Sequence, residues 1–220
     1  MPCDALCANT ISLHYWASDP DHALVVVPGE AIDRVALDAF CTYHAGRGVD
    51  VWLIDVVGDD RTQAWTEAIQ AAGQRVAETV GLPAFVHGSG SRTRAAQAAV
   101  NSSEVLDGAV LVLDSAAAGQ VTLPVSHNAP PILYVVAGRD TDSHGQLDQA
   151  VAAATALPVE LNVTPTDLDH MLADDYTAHS DTVLDWCLRE VSNHLRYGWG
   201  QRTKAGGTLP VLTIPTRRCL

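Results

Sequence analysis

Positive charge is scarce in this sequence. Against 26 acidic residues stand 13 basic ones, only one of them a lysine, Lys204, and the formal charge is −13. A phosphate backbone or an anionic membrane surface is repelled by such a field, so nucleic acid and membrane are excluded as partners. Five of the bases (Arg196, Arg202, Lys204, Arg217 and Arg218) fall in the last 25 residues, which leaves the rest of the chain more acidic still. Long apolar runs are lacking too: no uncharged apolar run approaches the ~20 residues that span a bilayer. The opening MPCDALCANTISL carries an acid and no base ahead of its apolar residues. It therefore lacks the positive region of a secretory signal, and a soluble, cytoplasmic protein is expected. The five cysteines, Cys3, Cys7, Cys41, Cys187 and Cys219, are odd in number and show no metal-type spacing. Free thiols, with neither a disulfide framework nor a metal, follow.

Hydrophobic residues make up 47% of the 220 positions and charged residues 18%, a balance that lets one core form without a partner. We assign one domain to residues 1–196 and a C-terminal tail to 197–220. Short β-branched runs alternate with helical periodicity. An edge strand is expected at Ile11–Trp16, then strands at Ala23–Pro28, Val49–Val57, Ala84–His87, Ala109–Asp114, Ile132–Ala137 and Val159–Val163. Helices are expected from Asp33 to the glycines at 46 and 48, and over Thr62–Thr79, Arg92–Val100, Gly145–Ala156 and Thr177–Leu195. This rhythm predicts an α/β fold: a doubly wound, mainly parallel sheet with helices on both faces and its ligand site at the carboxyl ends of the strands.

One such strand end reads Phe85-Val86-His87-Gly88-Ser89-Gly90-Ser91-Arg92 and runs straight into an alanine-rich segment. A glycine-rich turn at a helix start can cradle phosphate, but the Gly-Lys-Ser/Thr ending of a P-loop and the Rossmann glycine spacing are both missing. No nucleotide cofactor is expected. The segment resembles the nucleophile elbow of the α/β-hydrolases, in which a serine stands on a sharp strand-to-helix turn. Ser89 takes that place in the resemblance, with Ala95 and Ala99 as the small helix residues behind it; Ser91 is the alternative nucleophile in a shifted register.

The resemblance extends to chain order, serine then acid then histidine. Asp140, after the strand Ile132–Ala137, would orient the histidine, with Asp142 as the alternative acid. His170, past the last strand, would take the serine proton and return it to the leaving group. The turn Pro28-Gly29-Glu30-Ala31 resembles the family's oxyanion turn, so the backbone N–H groups of Glu30 and Gly90 would hold the oxyanion. Residues Ser115 to Pro130 leave too little chain for a helical lid, which implies an open site.

The resemblance therefore implies a lid-less serine hydrolase acting on an ester or thioester through an acyl-serine, with a small-molecule or carrier-bound acyl substrate. His87, Pro28 and Glu30 depart from the hydrolase pattern at the turns that matter. They keep open a lyase, cyclase or isomerase, or a non-catalytic binding protein, on the same fold. Trp199 and the apolar stretch from Leu209 to Ile214 suggest contact with a second copy, a homo-oligomer.

Overall fold

The computed structural model describes residues 10–17, 19–30, 32–56, 61–113, 129–137, 159–164 and 179–197. Seven strands lie in one sheet: β1 (Thr10–Tyr15), β2 (His22–Val27), β3 (Val49–Val56), β4 (Ala84–Ser89), β5 (Gly108–Leu113), β6 (Ile132–Ala137) and β7 (Val159–Thr164). Their order across the sheet is β1-β3-β2-β4-β5-β6-β7, with β1 antiparallel to β3 and every other pair parallel. Helices α1 (Arg34–Ala45), α2 (Thr62–Thr79), α3 (Thr93–Ser102) and α4 (Ser180–Tyr197) complete the described elements, with a 3₁₀ turn at Gly90–Arg92 ahead of α3.

The strands are apolar on both sides because both sides are covered. In β2, Ala23, Val25 and Val27 pack with Trp65, Ile69 and Val76 of α2 and Ala96 and Val100 of α3. The alternate residues Leu24 and Val26 pack with Leu37, Phe40 and Cys41 of α1 and Val183 and Trp186 of α4. Period-2 alternation thus divides one continuous apolar run between two cores, the pattern expected of a buried parallel strand. Helix α1 begins where Asp33 accepts hydrogen bonds from the N–H groups of Val35 and Ala36, both at 3.0 Å, satisfying donors that a helix start leaves open.

The sheet reverses its direction of growth at β2, whose neighbours are β3 on one side and β4 on the other. A crevice forms at such a switch point beyond the carboxyl ends of the two strands. The turns after β2 and β4 stand side by side at that point. The expected α/β class, the edge strand and the extent of α2 agree with the structure. The difference with most consequence is at β4, which runs two residues past the expected His87, to Ser89. The expected helix Gly145–Ala156, the lid-free connection after β5 and the tail 197–220 lie wholly or almost wholly outside the described residues. Among the described residues, no helix is long and apolar enough to cross a membrane.

Candidate active site at the ends of strands 2 and 4

The β4 end is built by close approach. A Cβ on Gly88 would stand 2.6 Å from the Ala96 Cβ, so this position accepts only glycine if α3 is to lie against the strand. A Cβ on Gly29 would stand 2.9 Å from the Ser89 carbonyl oxygen, so the turn after β2 is equally tight against β4. The two turns are also tied by a hydrogen bond: the Gly29 backbone N–H donates to Ser89 Oγ at 2.9 Å.

Ser89 is the last residue of the strand. Its backbone is extended, with φ −131° and ψ 152°, and it is fully buried. The residue that turns the chain is Gly90, with a φ of +53°. Among the described residues positive φ occurs only at Gly48, Gly81 and Gly90, because a side chain in the left-handed region meets the backbone.

A nucleophile elbow places its serine on the strained turn itself, but here the strained position is Gly90. Ser89 lies one residue earlier, with its hydroxyl turned onto the neighbouring loop. Gly88 then precedes the apex by two, and Ala96, not Ala95, is the small helix residue behind the turn. His87 becomes a core side chain, facing Phe40 at 4.9 Å between ring centroids.

In the family an oxyanion hole uses the N–H of the residue following the apex, which with Gly90 at the apex would be Ser91. Ser91 is exposed and belongs to the 3₁₀ turn. Glu30 does sit on the turn after β2 as expected, but its carboxylate is engaged: Arg92 Nη2 donates to Glu30 Oε1 at 3.2 Å. The Arg92 guanidinium carbon stands 4.2 Å from the centroid of the Trp65 ring, and Arg92 is 7% exposed. The sequence reading missed Arg92 and Trp65. The signal was a charged residue two places past the turn, where a tight elbow favours a small one.

His170, Asp140 and Asp142 lie outside the described residues. Of the other histidines, His179 packs in the core; it is 3% exposed and lies 5.2 Å from His87 between ring centroids. Burial lowers the His22 and His179 pKa to about 4, and burial together with the nearby His179 and His22 lowers His44 to about 3. His87 is pushed well below the usual range for the same first reason. All four are neutral packing groups at pH 7. Among the described residues, no group of three or more His, Cys, Asp or Glu side chains could hold a metal.

No protein-family model and no curated protein matches the sequence. Solved structures do match. Dienelactone hydrolase from Anabaena variabilis is similar at a TM-score of 0.65 and 13% identity, over 82% of this chain and 91% of that one. Thermogutta terrifontis esterase 2, phosphonylated by sarin, is similar at 0.59 and 14%, over 82% and 90%. A cold-adapted esterase from an Arctic intertidal metagenomic library is similar at 0.54 and 17%, over 83% and 88%. The chain has the α/β-hydrolase fold.

Proposed function

We propose that the crevice between the turns after β2 and β4 binds a carbonyl-bearing acyl ligand, an ester, a thioester or the carboxylate derived from one, and that it works without an acyl-serine at residue 89. The observation that carries this reading is the glycine at the apex: Gly90 has the φ of +53° while Ser89 is extended and fully buried. An attacking hydroxyl must reach the carbonyl carbon and a base within hydrogen-bond distance. The Ser89 hydroxyl instead accepts from Gly29. The backbone N–H groups at the start of the 3₁₀ turn still favour a carbonyl oxygen carrying partial negative charge. Ligand binding, or lyase, cyclase or isomerase chemistry through polarisation of that carbonyl, fits these parts. The buried free thiols Cys41 and Cys187 suit a cytoplasmic setting, and the partner would be a small-molecule or carrier-bound acyl compound.

A second reading is a serine hydrolase acting on an ester or thioester, with Asp140 or Asp142 as acid and His170 as base. The esterases that share the fold favour it, as does the exposed Ser91, which precedes the first residue of α3 by two. Treatment with a fluorophosphonate followed by peptide mapping separates the two. An unmodified chain supports the first reading; an adduct that disappears in Ser91→Ala supports the second.

A further inference from the structure

We propose that Arg92 anchors a carboxylate group on the ligand and that Glu30 holds the anchor when the ligand is absent. The inference rests on the acyl-site reading above and narrows it to acyl ligands that carry a second, anionic group.

The ion pair is lopsided. The Arg92 side chain is 8% exposed and the Glu30 side chain 70%. Removing a guanidinium from water is costly unless an anion meets it, so the buried member of this pair needs a partner more than the exposed one does. Glu30, open to water, regains its hydration on leaving, and a ligand carboxylate that takes its place keeps the guanidinium paired. The guanidinium, in contrast, is held in place. It lies over the face of Trp65, itself 2% exposed, in a cation–π arrangement that fixes its plane. A planar guanidinium presented in this way suits a carboxylate, which it meets with two parallel N–H donors.

Position supplies the second argument. Gly90, Ser91 and Arg92 form one 3₁₀ turn, so the guanidinium is rooted two residues from the apex where the acyl carbonyl would sit. Glu30 lies on the other wall of the same crevice, next to Gly29. In a protein of net charge −13 an anion is repelled at long range, and a buried arginine at the crevice is the feature that offsets this locally. A ligand with a carbonyl at the apex and a carboxylate a few bonds away would meet the Ser91 N–H and Arg92 together, displacing Glu30 into solvent.

Calorimetric titration of the full chain with succinate and, separately, with dimethyl succinate tests this. We expect succinate to bind more tightly than its neutral diester. Glu30→Gln, a change at an exposed side chain, should tighten succinate about twofold to fivefold by removing the internal competitor, and Arg92→Lys should weaken it about tenfold or more. Unchanged or weaker succinate binding by Glu30→Gln overturns the anchor. If the diester binds while succinate gains nothing in either variant, the anchor fails and the acyl site stands. If neither compound binds the wild-type chain or the variants, both readings fail.

Discussion

Ser89 and Gly29 clasp each other: the Gly29 N–H donates to Ser89 Oγ at 2.9 Å, and the space where a Gly29 Cβ would stand is closed by the Ser89 carbonyl oxygen at 2.9 Å. The serine thus holds the turn after β2 against the end of β4. Its hydroxyl positions a loop that lines the site.

Removing that hydroxyl should therefore cost stability. Ser89→Ala leaves a backbone donor without its partner, and denaturant titration should show a loss of about 1–3 kcal/mol. Gly29→Ala should destabilise the fold by a comparable about 1–3 kcal/mol, because its contact is with main chain that cannot swing aside. A Ser89→Ala variant as stable as the parent would contradict the positioning role.

Gly90→Ser should be folded but strained. A side chain in the left-handed region costs about 1–2 kcal/mol, so its midpoint in urea should fall while the m-value stays the same. An unaltered midpoint would mean that the turn is not where the chain reverses.

The core histidines predict sensitivity to acid. His22, His44, His87 and His179 all have lowered pKa values in the folded chain, with burial the first cause, whereas an unfolded histidine titrates near ~6.5. The unfolded state therefore binds more protons as pH falls. Their stabilising effect is complete above about pH 6.5 and is lost progressively toward pH 4, by up to ~1.4 kcal/mol per pH unit for each histidine. Stability measured in urea at pH 7, 6 and 5 should drop steeply below pH 6.5. Replacing His44 with Gln should flatten that slope, and a slope unchanged by the substitution would contradict the account.

Much of the fold was legible because parallel strands covered on both faces are nearly continuous apolar runs. Ala23 to Val27 announces itself in that way, and Thr62 to Thr79 shows a helical stripe. The antiparallel edge β1 was also foreseeable, lying before the alternation begins. The site was harder. Ser89 and Ser91 flank a glycine, and serine-flanking glycines look alike in sequence whichever residue carries the turn. What decided the register was where β4 ends, and strand ends depend on pairing: Ser89 is held in the ladder by Val112 of β5. His87 was the available clue. A large side chain two residues before a supposed elbow serine is a conflict, and it disappears once the apex moves to Gly90. Arg92 could have been suspected for the same reason, but its partners Glu30 and Trp65 come from distant turns and helices that only the folded chain brings together.

On the proposed reading the strand-end serine is a structural group and the apex carries no hydroxyl. Fluorophosphonate treatment of the full-length wild-type chain, beside a control serine hydrolase, followed by intact mass and peptide mapping, tests it directly. Full labelling of the control and an unmodified Ser89 are expected. A stoichiometric adduct on Ser89, abolished by Ser89→Ala in a chain that remains folded, would contradict it.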